Sequence, residues 1–123
     1  IQHNQRLYYI DGKFFRIPYD FDMSGLVYAP YATVSNTQTL ACQPVDVRDR
    51  CYKGYMRDTA VVEQVRQHFL EARPAMMREL EELEPLFKDD RQYKEAAVYL
   101  ESFFDILADD RKFEREILNN MRE

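Results

Sequence analysis

A chain of 123 residues with nine Tyr, eight Phe and no Trp is long enough for one domain that buries about two-thirds of the surface its unfolded form exposes. Its 17 basic and 22 acidic residues give a net charge of −5, which argues against nucleic acid as a partner, because phosphate binding needs a net positive face. No run approaches the roughly eighteen apolar residues of a membrane span, and since the first residue is Ile1 the sequence is silent about a leader.

The first element is a β-hairpin. Asp11-Gly12 suits the two central positions of a type I′ turn, both of which need positive φ. Strands over roughly Leu7 to Ile10 and Lys13 to Ile17 then pair Ile10 with Lys13, Tyr9 with Phe14, Tyr8 with Phe15 and Leu7 with Arg16. Tyr8, Ile10, Phe15 and Ile17 fall on one face, and Leu7, Tyr9 and Phe14 on the other. A ribbon apolar on both faces needs cover on both, since an isolated hairpin is marginal in water; either the later helices pack on one face and a missing segment on the other, or the chain exposes apolar surface. Folding back also carries Asn4 and Asp20 to the same open end, where an amide oxygen and carboxylates can share a cation. Pro18 ends the second strand. If the following Tyr19-Asp20-Phe21-Asp22 is extended, the two acids point one way and Phe21 anchors the other.

Residues 24 to 45 show no lasting period and carry Ser24, Gly25, Pro30, Ser35, Asn36, Thr37, Thr39 and Pro44, the composition of a long loop. Tyr28, Tyr31 and Ala32 favour an ordered one that packs near the acidic site. Cys42 and Cys51 lie in or beside this loop. Bridged, they close a small ring that stabilises by about 2 to 3 kcal/mol on the loop-entropy argument; the alternative is two thiols in a reducing compartment. The pair alone does not make a zinc site, which needs four ligands, with His68 and His3 the only imidazoles. From Asp46 the pattern turns helical, with Val47, Arg50 or Cys51, and Tyr55 on one face. Arg50, Lys53 and Arg57 form a cationic stripe there that receives an anionic substrate, pairs with the acidic cluster or lies solvated among Asp46, Asp49 and Asp58.

The remainder is helical. Asp58 or Thr59 caps a helix of about 24 residues with an apolar stripe of Val62, Val65, Phe69, Ala72, Met76, Leu80 and Leu83. Pro74, inside it, is expected to kink or split the helix, and Glu84-Pro85 ends it. Asp89, with Gln92 three residues on, starts the next helix. Its face is Tyr93, Ala96, Ala97, Leu100, Phe103, Phe104 and Leu107. Asp109 or Asp110 starts a terminal helix carrying Phe113, Ile117, Leu118 and Met121. His68 reads as a surface or boundary residue, and the Glu-rich run at 79 to 84 as a solvated face. The expected fold is α+β and predominantly α. A unit of residues 1–57 (hairpin, acidic motif and ordered loop) packs on an antiparallel helical unit of residues 58–123, the two forming one structural body.

An asparagine, two short strands and an acidic triplet, in that order, is the arrangement in which protein kinases place their metal ligands. His3-Asn4, the hairpin, Ile17-Pro18-Tyr19-Asp20-Phe21-Asp22, the wider PYDFDMSGLVYAPYA and the later VRDRCYKGY resemble the spore-coat CotH type of atypical kinase and its bacterial relatives. The resemblance covers residues 3 to 57 by motif and the helices only loosely. It implies the carboxyl-terminal lobe of a kinase-like phosphotransferase, with Mg2+ or Mn2+ and ATP as cofactors. Asn4 and Asp20 match the metal ligands, and Asp22 an auxiliary one. The catalytic base of such enzymes precedes the asparagine and would lie upstream of Ile1, and no glycine-rich phosphate loop or strand lysine is present. The expectation is therefore a piece of a longer protein, inactive alone, whose partners are the rest of that protein and a protein substrate. The alternative is a non-catalytic helical interaction domain in which the acidic triplet organises the loop.

Overall fold

The computed structural model describes residues 4–34, 43–51 and 58–121. Among the described residues two antiparallel strands, β1 (Gln5–Ile10) and β2 (Lys13–Pro18), are followed by loop and then by three α-helices. These are α1 (Thr59–Glu82), α2 (Asp90–Ala108) and α3 (Asp110–Glu116), with single 3-10 turns at Glu84–Leu86 and Leu118–Asn120. The α+β, predominantly helical class expected from the sequence is the class observed. No described helix is long and apolar enough to cross a membrane.

Each helix starts on an aspartate whose carboxylate takes a backbone N–H left without an intrahelical partner. Asp58 accepts from Ala60 at 2.9 Å, Asp89 from Gln92 at 2.9 Å and Asp109 from Lys112 at 2.9 Å. Pro74 does not split α1, which runs unbroken over 24 residues. Packing against α2 outweighs the one backbone bond that proline removes.

The core lies where the helices meet. Phe104, fully buried at 0% exposure, clusters with Leu107 and Phe113, and Val62, Leu70, Met76, Met77, Leu100 and Ile117 pack around them. Arg66 of α1 meets Leu107 of α2, while Arg73 meets Glu101, so the two helices run antiparallel as expected. The packed stripe of α1 is the predicted one with additions. Leu80 is buried, Val62, Ala72 and Met76 are half-buried, and Phe69 meets the Phe103 ring edge-on at 5.4 Å, whereas Val65 and Leu83 stay about half exposed and Arg66 and Arg73 join the packed side. Their stems cover apolar surface while their heads find acceptors. The Arg66 guanidinium lies 4.4 Å from the Phe113 ring centre and donates to the Leu107 carbonyl and the Asp110 carboxylate, both at 2.6 Å. That of Arg73 lies 5.5 Å from the Phe104 ring and pairs with Glu101.

The expected helix from Asp46 is absent over the described residues 46–51, which form turns. Local side chains outcompete the helical ladder here. Asp49 accepts from the N–H groups of Val45 (2.9 Å) and Asp46 (3.0 Å), and Asp46 accepts from Arg48 (2.8 Å). The bonds from Asp46 and Val45 also hold the Asp49 carboxyl below its ordinary range. Cys51 is disulfide-bonded; Cys42, with Lys53, Tyr55 and Arg57 of the proposed helix and stripe, lies outside the described residues.

The loop, rather than the ribbon, carries the contact between the two parts. Among the described residues β1 and β2 pack on each other and make no substantial contact with a helix. Of the two outcomes the sequence left open, the described residues show the second, an exposed apolar ribbon, with Leu7 59%, Tyr9 65% and Phe14 70% exposed.

Candidate metal site at the open end of the ribbon

The turn that sets the site is of the expected kind. Asp11 and Gly12 have φ of 49° and 76°, the two positive values of a type I′ reversal. The register follows, Ile10 with Lys13 through Tyr8 with Phe15 and Leu7 with Arg16, and continues to Arg6 with Ile17 and Gln5 with Pro18. One step further Tyr19 donates its N–H to the Asn4 carbonyl at 3.0 Å. The hairpin thus brings Asn4 and Asp20, sixteen positions apart in sequence, into contact: the Asn4 Nδ2 donates to the Asp20 carbonyl at 3.0 Å. That bond uses the amide nitrogen and leaves Oδ1 as the atom that could coordinate a cation.

Asp20 and Asp22 also come together, by a different route from the one expected. Asp20 is not extended but has φ of 61°, in the left-handed region that aspartate tolerates. A turn follows it, with Ser24 donating to the Phe21 carbonyl at 2.9 Å. Phe21 consequently stays 57% exposed and anchors nothing. The turn sets the two carboxyl groups against each other. Asp20 is pushed above its ordinary value, first by a hydrogen bond with Asp22, then by that neighbour's charge. The Tyr31 hydroxyl is raised too, chiefly by its hydrogen bond to Asp22. The loop therefore packs beside the acidic pair through Tyr31, as the sequence suggested.

The same loop is keyed to α2. Gly25 is buried against the Tyr99 hydroxyl and the Val47 carbonyl, and a Cβ there would fall 2.7 Å from the latter. Arg48 lies 3.7 Å from the Tyr28 ring centre, donates to the Gly25 carbonyl at 3.4 Å and pairs with Glu95 at 3.3 Å. Arg50 lies 3.9 Å from the Tyr99 ring centre and donates to the Tyr99 carbonyl and, at 2.6 Å, to the Ser102 hydroxyl. The sequence left Arg50 to receive an anionic substrate, to pair with the acidic cluster or to lie solvated; it is instead committed to α2. Nothing local could have shown this, because its partners stand about fifty residues away in the chain.

A cleft of about 830 Å3 opens between Leu26–Pro30 and the junction of α1 with α2, lined also by Arg48, Leu86 and Arg91. It does not include Asn4, Asp20 or Asp22.

Chemically, the open end offers two carboxylates and one amide oxygen. An all-oxygen set of this size suits a hard cation that keeps some of its own waters or shares phosphate ligands, as Mg2+ and Mn2+ do, and does not suit zinc. Among the described residues no group of three or more His, Cys, Asp or Glu is placed to hold a metal ion, so the set needs Asn4 as its third protein donor. His3 lies outside the described residues, and His68 is exposed on α1. Comparison of the chain with protein-family models, curated proteins and solved structures returns no match.

Proposed function

We infer that Asp20, Asp22 and the amide oxygen of Asn4 form a Mg2+ or Mn2+ site, the metal-holding element of a kinase-like phosphotransferase of the CotH type. The observation that carries this reading is the bond from the Asn4 amide to the Asp20 backbone carbonyl across the foot of the ribbon, with the Asp20 carboxyl group set against that of Asp22. A divalent ion there replaces repulsion between two like charges by attraction to both, and competes with the proton that Asp20 holds more tightly than an ordinary aspartate. In phosphoryl transfer such an ion neutralises charge on the nucleotide phosphates and fixes their position. The resemblance matches no base and no nucleotide clamp to the residues present, so the 123-residue chain alone is expected to show no phosphotransfer. Measurable turnover of ATP by it would contradict the proposal.

Titration of Mn2+ into the chain, followed by loss of the free-ion electron paramagnetic resonance signal, tests the site. Binding is expected, with Asp20→Asn weakening it about tenfold or more, as loss of one charged ligand should. Equal affinity in both proteins overturns the assignment. A second reading, a non-catalytic interaction domain, is favoured by the exposed apolar surface of the ribbon.

A further inference from the structure

Among the described residues the ribbon has two open edges, and they are not alike. Hydrogen-bonded and non-bonded pairs alternate along an antiparallel ladder. The bond from Tyr19 to Asn4 fixes the phase, so Asn4, Arg6, Tyr8 and Ile10 turn their backbone groups toward β2. Gln5, Leu7 and Tyr9 therefore turn their N–H and C=O groups outward, where none meets a partner among the described residues. On the other edge the outward residues are Phe14, Arg16 and Pro18. Proline has no N–H to offer, and Lys13 and Arg16 put charge along that strand, the usual guards against strand addition. Strand β1 carries a single charge, Arg6, among large apolar and aromatic side chains. It is the unguarded edge.

We propose that two copies of this chain associate through β1, edge to edge and antiparallel, to make a four-stranded sheet. The edge is self-complementary. A two-fold axis at Leu7 sets Leu7 against the second copy's Leu7, and Gln5 against its Tyr9 in both directions. Every outward N–H and C=O of Gln5, Leu7 and Tyr9 then finds a partner. In the same register Arg6 lies opposite the second copy's Tyr8, a cation facing an aromatic ring rather than another cation. No like charges stand directly opposite. The same operation on β2 either opposes Arg16 to itself and wastes a position on Pro18, or gives a shorter ladder. A two-stranded ribbon is marginal by itself while three or more strands are not, so pairing supplies what the helices do not. Burial of the ribbon in a lipid layer is the poorer solution, because it strands the outward backbone groups in hydrocarbon. The proposal is independent of the metal-site reading. Each copy carries −5, so long-range repulsion opposes the association and salt favours it.

Sedimentation velocity on the full chain from about 20 μM to about 1 mM should show a monomer shifting to a dimer, with a larger dimer fraction at higher salt. Leu7→Lys places two cations on the axis and should weaken association at least about tenfold, whereas Arg16→Gln on the far edge should leave it unchanged. In case Leu7→Lys opens the ribbon itself, amide exchange on the unmodified protein gives an independent reading. Protection at Gln5, Leu7 and Tyr9 should rise with protein concentration while Phe14 and Arg16 stay fast. A monomer throughout the range overturns the proposal and leaves the edge to a foreign strand. Concentration-dependent protection at Phe14 and Arg16 instead overturns the choice of edge.

Discussion

The helical part and the ribbon are built from the same kinds of residue and treat them in opposite ways. In α1–α3 aromatic side chains converge, and Phe104 is fully enclosed; in β1 and β2 every large apolar side chain is substantially exposed. The difference lies in dimensionality. Helices that return antiparallel give each apolar stripe a facing stripe, whereas two strands make a surface with two faces and no second layer. Aromatic content measures the means to build a core; topology decides whether a core is built.

The largest test of this contrast is a pair of equivalent truncations. Phe104→Ala should lower unfolding free energy by about 3–5 kcal/mol in chemical denaturation. Phe14→Ala, made under dilute conditions, should change it by no more than about 0.5 kcal/mol. Similar losses from both would mean that the ribbon is packed on the helices in solution. Next in size is Gly25→Ala, which drives a methyl group into the Tyr99 hydroxyl and the Val47 carbonyl. Because the loop must yield or lift from α2, a loss of about 1–3 kcal/mol is expected, together with faster amide exchange in residues 24–30. An unchanged protein would show that loop and helix are not keyed together.

Smaller effects concern charge. Asp109 caps α3, and the bond from Lys112 holds its carboxyl below the ordinary value. Its contribution is thus complete above the unfolded-state pKa and is lost as pH falls through the lower folded one. Asp109→Asn should flatten that acid limb of the stability curve while keeping an acceptor for the cap. Asp20 has the opposite sign, its proton being held more tightly in the folded protein. In the metal-site reading, Mn2+ affinity should fall as the solution is acidified toward Asp20's raised pKa, and Asp22→Asn should remove most of that dependence. A pH-independent affinity in the unmodified chain would detach the ion from the carboxylate pair.

Elements whose cause is local were legible in the sequence. The Asp-Gly turn, its register, the aspartate cap of α2 and, to within one residue, the caps of α1 and α3 follow from backbone preferences within four residues. The juxtaposition of Asn4 with Asp20 was legible for the same reason, as arithmetic on one turn. The face of α1 was legible for its apolar residues, but the part taken by Arg66 and Arg73 was not, because both count as polar in any periodicity although their stems pack like aliphatic chains. Residues 46–51 read as helix because their spacing allows one, while the turn-forming bonds of Asp46 and Asp49 leave no trace in an apolar pattern. Left-handed Asp20 was likewise invisible, since nothing beside it marks a positive φ. The docking of Arg48 and Arg50 depends on α2, far along the chain, and no short-range rule reaches that distance.

Asn4 performs two tasks at the foot of the ribbon: its carbonyl closes the last rung with Tyr19, and its side chain reaches across to Asp20. Fraying of that rung would release the amide together with the strand, so the two arrangements breathe as one. An ion caught between Asn4 and the acids would act as a clasp on the fraying end, and the slowing of solvent exchange at the Tyr19 amide would measure how firmly the clasp is shut.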